Sequence, residues 1–171
     1  MKNRHNALLS FAYTLLLNNL VAACQLAGLD PDIGFFHAVD YNKPSMALDL
    51  EEEFRPIIAD SVVLMAINRP LFRLSDFEVG QPWKQRDEEE APDANPRPAS
   101  DPRNDAVRPI YLKDAGRKRF IDLYEKRVNE QIYYPPTGEQ TSYRRIFELQ
   151  AYALGKVILG ELPGYVPFMV R

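Results

Sequence analysis

NALLSFAYTLLLNNLVAACQLAG, residues 6–28, is the stretch that decides the fold of this chain. Its apolar residues recur at spacings of three and four, as at Leu8, Phe11 and Leu15. This periodicity predicts a helix over residues 6–27, followed by a glycine, the residue type that most commonly ends helices. Because the helix is apolar on most of its faces, we expect it to lie at the centre of a helical bundle.

The same apolar run, residues 7–29, is long enough to be considered as a membrane span, which needs about 20 predominantly apolar residues. Polar side chains interrupt it at Ser10, Asn18 and Gln25. These interruptions favour the buried helix of a soluble domain, and we therefore expect no contact with a membrane.

Three further segments have helical periodicity: residues 46–68, 113–130 and 139–159. Pro56 lies inside the first of them, and an internal proline removes a helical hydrogen bond, which predicts a kink or two abutting helices. We expect Tyr111 and Leu112 to be briefly extended, and the apolar tail at 160–168 to pack back on the bundle. The sequence therefore predicts an all-α fold in a single domain over residues 1–171.

Residues 76–109 differ from the rest of the chain in composition. They hold six of the 14 prolines and the acidic run at 87–90, and residues 76–108 have a net charge of −4. Such a segment has few groups that could offset its ordering entropy, which predicts a long flexible loop inserted in the bundle. Residues 109–171 carry a net charge of +3, so a locally basic face remains.

The composition is that of a soluble globular protein, with 171 residues, 46% hydrophobic, 26% charged and a net charge of −3. This net charge does not by itself indicate a nucleic-acid partner. Cys24 is the single cysteine of the sequence, which excludes an internal disulfide and a thiolate zinc site. This cysteine usage fits a reducing environment, and we expect the protein to be cytoplasmic.

A second stretch, GFFHAVDYNKPSMALDLEEEFRP at 34–56, combines a histidine with several acids. Asp49 and Glu52 are three residues apart, so both project from one helix face, and Arg55 continues that face. A proline-anchored turn can fold His37 back over the first helical turn. Mixed imidazole and carboxylate ligation suits Mg²⁺ or Mn²⁺, and a nearby arginine suits a phosphate.

A structural alternative stays open for the same residues. A histidine near acids in sequence is usually packed or at the surface, and acids near a helix start complement the helix dipole. Under either interpretation, Glu51 and Glu53 are expected to be helix-start charge, because they point away from the Asp49–Glu52 face.

Six strings of the sequence match a known family: NALLSFAYTLLL (6–17), AGLDPDIGFFH (27–37), KPSMALDLEEEFRPIIAD (43–60), INR (67–69), YLKDAGRKRFIDLYEKR (111–127) and SYRRIFELQAYAL (142–154). They resemble the C-terminal helical domain of the CRISPR-associated spacer-acquisition integrase, the Cas-one endonuclease family. The resemblance covers nearly the whole chain apart from residues 76–109.

The resemblance implies a metal-dependent DNA endonuclease and integrase of antiviral defence, which joins the 3′-hydroxyl ends of short DNA segments to a CRISPR repeat. It implies that His37 and Glu52 are ligands of Mg²⁺ or Mn²⁺, that Asp49 is a second motif acid of the catalytic site, and that Arg55 lies near bound DNA. The implied partners are double-stranded DNA, a second copy in a homodimer, and a small CRISPR-associated protein.

Other basic residues, Lys43, Arg69 and Arg73, are candidates for DNA phosphate contacts, although each could equally solvate a helix face. In the family, a further glutamate ligand and a β-rich domain precede the region that this chain matches. We therefore expect a fragment with weak metal affinity and little activity of its own. The alternatives are a non-catalytic helical remnant that binds DNA or a partner integrase subunit, and, without the resemblance, a generic metal-dependent phosphodiesterase.

Overall fold

The computed structural model describes residues 2–34, 44–69, 71–80 and 109–169. In chain order its elements are α1 (Lys2–Leu26), α2 (Ser45–Phe54), a π-helical segment (Arg55–Asp60), α3 (Ser61–Asn68), a 3₁₀ turn (Leu74–Asp76), β1 (Phe77–Val79), β2 (Ile110–Leu112), α4 (Asp114–Val128), β3 (Gln131–Tyr134), β4 (Glu139–Ser142) and α5 (Tyr143–Ile158). Within these residues, strands occur only as two short antiparallel pairs. The predicted class is confirmed as a mostly helical domain.

Helix α1 is the centre of the bundle. Leu8, Ala12, Leu16 and Leu20, spaced by four residues, are each at most 3% exposed. Its neighbours include α2, the π-helical segment, α3, β2 and α5. In the described part of the chain, Arg4–Leu26 is long and apolar enough to cross a membrane by length and composition. One side of this helix packs against other elements of the same chain, as the sequence predicts.

Pro56 lies at the start of the π-helical segment, which joins α2 to α3 without a break. Proline lacks an N–H group and clashes with the carbonyl four residues back, so a regular α-helix cannot continue there. The irregular turn is held from two sides. The carbonyl of Ile57 accepts hydrogen bonds from Ser61 Oγ at 2.6 Å and from Nε and Nη2 of Arg127, on α4, at 3.1 and 2.9 Å.

The β3–β4 hairpin was not predicted. Residues 139–142, predicted as the start of a helix, pair instead with Gln131–Tyr134. The helix begins at Tyr143, where the Oγ of Ser142 accepts the N–H of Arg145 at 3.3 Å and caps the first turn. Gly138 has a φ of 72° in the connecting turn, a conformation that favours glycine.

A second pair of strands flanks the predicted loop. Residues 77–79 lie inside the range 76–109 but form β1, which pairs antiparallel with β2. The predicted extended conformation of Tyr111 and Leu112 is confirmed by β2. The remainder of the predicted loop, residues 81–108, lies outside the described residues.

The C-terminal tail packs back on the bundle, as predicted. Phe168 is 6% exposed, and its ring stacks on that of Phe54 with centroids 5.5 Å apart. The carboxylate of Glu53 accepts a hydrogen bond from the Tyr165 hydroxyl at 2.5 Å and another from the Phe168 N–H at 2.9 Å. Helix α2 is therefore held between α1 on one side and the tail on another.

Candidate functional site

The predicted site residues divide into those that the structure describes and those that it does not. Asp49 and Glu52 lie on α2, and Arg55 is the first residue of the π-helical segment that follows. His37 and Lys43 lie outside the described residues. The geometry below therefore concerns the carboxylates, the arginine and their neighbours.

Glu52 and Arg55 form an ion pair on the solvent side of α2. Nη1 of Arg55 lies 2.6 Å from Oε1 of Glu52, and the two side chains are 36% and 60% exposed respectively. Leu50 and Phe54 are buried and define the core side of the helix. Asp49, three residues before Glu52, shares the face of Glu52 and is half-buried. The predicted common face of these side chains is thus accessible to a ligand.

Tyr13 of α1 completes the surroundings of Arg55. The guanidinium of Arg55 lies over the Tyr13 ring, 4.5 Å from its centroid, in a cation–π contact. The Tyr13 hydroxyl donates a hydrogen bond to Oδ1 of Asp60 at 2.8 Å. Burial and the neighbouring Asp60 carboxylate raise the pKa of Tyr13, so its phenol stays protonated at neutral pH. The arginine is therefore fixed in orientation by a carboxylate at one end and an aromatic face beneath.

Asp60 is the residue of this group that sequence reasoning missed. It lies five residues after Arg55, and a π-helical turn brings positions five apart close together, whereas an α-helix pairs positions three and four apart. The signal in the sequence was Pro56, which interrupts the α-helical hydrogen-bonding pattern. Asp60 is the residue that accepts the hydrogen bond of the Tyr13 hydroxyl.

The other two acids of the triplet are not helix-start charge, so that prediction was wrong. Helix α2 begins at Ser45, which places residues 51 and 53 beyond its first turn. Glu51 is 5% exposed, and its Oε1 has no hydrogen-bond partner. Glu53 holds the C-terminal tail. Burial raises the pKa of both carboxyl groups above the usual range.

Arg69 and Arg73 lie beyond the end of α3. Arg69 follows the last residue of α3, and Arg73 precedes the 3₁₀ turn. Both are exposed. Thirteen residues lie between Arg55 and Arg69, which corresponds to roughly 20 Å at the rise of an α-helix. The structure thus places these cations on the surface but away from the Glu52–Arg55 pair.

Asp49 and Glu52 are the described carboxylates of the predicted metal site. Asp49 and Glu52 offer oxygen ligands from one accessible helix face, which suits a hard divalent cation. In the ranges that the structure describes, no group of three His, Cys, Asp or Glu side chains converges to hold a metal. The residues present fit two positions of a Mg²⁺ or Mn²⁺ site, and His37 belongs to the stretch that leads into α2.

Comparisons with known proteins agree on one family. The family model described as CRISPR associated protein Cas1 matches residues 1–85. A Thermus thermophilus protein, CRISPR-associated endonuclease Cas1 3, is 41% identical over 166 residues, which cover 97% of this chain and 42% of the relative. Across the first three curated relatives, the chain spans between 26% and 56% of their length.

Two solved structures share the fold. A casposase bound to integration product superimposes with a TM-score of 0.74 at 20% identity, over 98% of this chain and 42% of that one. A partial Cas6-RT-Cas1–Cas2 complex gives a TM-score of 0.68 at 18% identity, over 97% and 42% respectively. The fold and the sequence matches agree, and the chain belongs to the Cas1 family of CRISPR-associated proteins.

Proposed function

We propose that this chain is the helical, catalytic-type region of a metal-dependent DNA endonuclease and integrase that inserts new spacers into a CRISPR repeat array. The observation that carries the proposal is the Glu52–Arg55 pair on the accessible face of α2, with Asp49 on the same face. It brings carboxylates for a divalent cation next to a fixed cation for a phosphate. Both belong to one short segment of a Cas1-family sequence.

Arg55 binds and orients the phosphate in this proposal. Its guanidinium uses Nη1 toward Glu52 and stacks on Tyr13, which leaves its outer N–H groups for a phosphate oxygen. Because the ring and the carboxylate hold the guanidinium in place, little side-chain entropy is lost when DNA binds. The Tyr13–Asp60 hydrogen bond keeps the supporting ring in position.

In this proposal, His37 and Glu52 would hold the divalent cation, with Asp49 as a further carboxylate on the same face. A bound Mg²⁺ or Mn²⁺ supplies polarisation of the scissile phosphate and a lower pKa for the attacking hydroxyl. The protein contributes positioning and charge, which are the main requirements of transesterification at phosphorus.

The partners in the proposal are double-stranded DNA, a second copy of the integrase and a small Cas2-type protein. The casposase with the same fold is described as bound to integration product, and another protein of this fold is part of a Cas1–Cas2 complex. Arg69, Arg73 and Lys43 are the further cations that contact phosphates along a bound duplex in this proposal.

A strand-transfer assay with a 3′-hydroxyl DNA end tests the proposal. The protein assayed is a chimera, in which this chain replaces the matching region of the Thermus thermophilus relative. His37→Ala and Glu52→Ala should each abolish Mn²⁺-dependent joining. Glu161→Ala, at an exposed acid near the C-terminal end, is the matched control and should leave joining unchanged. Retained joining in both site variants would overturn the assignment.

A non-catalytic role in binding DNA or a partner subunit is the second candidate. The observation that favours it is that the described residues hold no group of three metal-ligating side chains. Manganese binding to the chain alone, followed by electron paramagnetic resonance, separates the two functions. Binding that Glu52→Ala weakens supports the catalytic role, whereas DNA affinity that is independent of metal supports the second.

A further inference from the structure

A groove of about 570 Å³ lies between β3, α5 and the C-terminal tail. Its volume is within the range of ligand-binding pockets, which run from roughly 300 to 1,000 Å³. It is too small for a second folded chain to occupy, so its occupant is a small molecule or one segment of polypeptide. None of the site residues on the solvent face of α2 lines it.

The first wall of the groove is the edge of a strand. Ile132, Tyr133 and Tyr134 are consecutive residues of β3, and all three line the groove. Successive side chains of a strand point to opposite faces, so a groove that touches all three runs along the strand edge. In the described ranges β3 pairs with β4 alone, which leaves its other edge open. An open strand edge presents backbone N–H and C=O groups to an incoming strand.

The opposite wall is the extended tail, of which residues 166–169 line the groove. The N–H of Phe168 is bonded to Glu53, and this bond anchors the tail to α2. No hydrogen bond between backbone groups involves residues 164–169 within the described part of the chain. The groove is therefore bordered on both sides by extended backbone.

Gln150 of α5 supplies a polar group inside the groove. The residue is 3% exposed and belongs to the groove lining. Among the residues that the structure describes, its side-chain amide makes no hydrogen bond. The amide atoms are not among the fully buried polar atoms that lack a partner in the described residues, so they reach the open space of the groove. An amide offers one donor group and one acceptor, the pair that a peptide bond requires.

Among the residues that the structure describes, the groove lining carries no charged side chain; it consists of tyrosines, prolines, Gln150 and aliphatic or aromatic residues. A nucleic-acid strand needs cations to neutralise its phosphates, and the lining provides none. We infer that this groove binds an extended, uncharged peptide segment of a partner chain, which adds a strand to the open edge of β3 and bonds to the Gln150 amide. Apolar side chains at alternate positions of the peptide would enter the groove.

Nitrogen-15 NMR titration of the chain tests the inference with capped hexapeptides of alternating threonine and valine, or threonine and leucine. We expect saturable shifts of the Gln150 side-chain amide and of the backbone amides at 131–134. The same peptides with N-methylated alternate amides should not bind, because they cannot form a strand ladder.

Gln150→Leu should weaken binding about tenfold, the equivalent of one lost buried hydrogen bond. Tyr133→Ala changes a wall residue that is 58% exposed, so it tests the groove even if the Gln150 variant does not fold. Tyr152→Phe, on the same helix but outside the groove, is the control and should bind as the unchanged protein does. Shifts with hexathymidylate alone, no saturation by either peptide, or full affinity in Tyr133→Ala would each overturn the inference.

Discussion

Replacing Glu51 by methionine should stabilise this protein. Glu51 lies on the core side of α2, is 5% exposed, and leaves its Oε1 without a hydrogen-bond partner. A buried acceptor without a partner costs about 1–3 kcal/mol. Methionine is close to glutamate in length and shape and has no oxygen, so Glu51→Met should raise the free energy of unfolding by about 1–3 kcal/mol at pH 8.

The stabilisation by Glu51→Met should depend on pH. Burial raises the pKa of Glu51 in the folded protein above the 4.5 of an ordinary glutamate. The folded state therefore holds its proton more tightly than the unfolded state, and stability falls as pH rises from about 4.5 through the folded pKa. Glu51→Gln removes this ionisation but keeps a polar group, so it should remove the pH-dependent part of the destabilisation alone.

Urea unfolding at pH 4 and pH 8 measures both variants against the unchanged protein. The advantage of Glu51→Met should be larger at pH 8 than at pH 4. Glu161→Gln, at an exposed glutamate, should leave the free energy of unfolding unchanged at both pH values, and it controls for the loss of one negative charge. A Glu51→Met protein that is less stable at pH 8, or equally stabilised at both pH values, would refute the reasoning.

Three further substitutions test individual contacts by urea unfolding. Tyr165→Phe removes the hydroxyl that donates to the Glu53 carboxylate at 2.5 Å and should lower the free energy of unfolding by about 1.5–3 kcal/mol at pH 8. The loss should be smaller at pH 4, because the raised pKa of Glu53 favours its protonated form there. Equal losses at both pH values would contradict this. Arg127→Met removes both hydrogen bonds to the Ile57 carbonyl and should cost about 1–3 kcal/mol, whereas an unchanged midpoint would show that water replaces them. Gly138→Ala forces a side chain into a φ of 72° and should cost about 1–2 kcal/mol, and no loss there would mean that the turn relaxes.

The helical framework could be predicted because its signals are local. The apolar repeat of α1 lies within one segment, and burial of Leu8, Leu16 and Leu20 follows from it. The β3–β4 hairpin could not be predicted in the same way. Its strands are four residues long, and residues 139–142 continue smoothly into the periodic pattern of α5, so the helix appeared to begin early.

The candidate site likewise combines contacts within one helix, which could be predicted, with contacts between distant segments, which could not. Asp49, Glu52 and Arg55 were placed on one face by their spacing of three, and the Glu52–Arg55 ion pair is a contact within one turn. The contact of Arg55 with Tyr13 joins two helices, and the bond from Tyr13 to Asp60 spans 47 positions in sequence. Neither contact has a periodicity that could reveal it.

The sequence by itself determined the family, the helical class and the common face of Glu52 and Arg55, because periodicity and motif spacing are properties of a single segment. Only the tertiary structure decided the roles of the three glutamates: one pairs with Arg55, one is buried without a partner for Oε1, and one anchors the tail. Three adjacent, chemically identical side chains differ only in direction, and the elements that pack around α2 decide what each of them contacts.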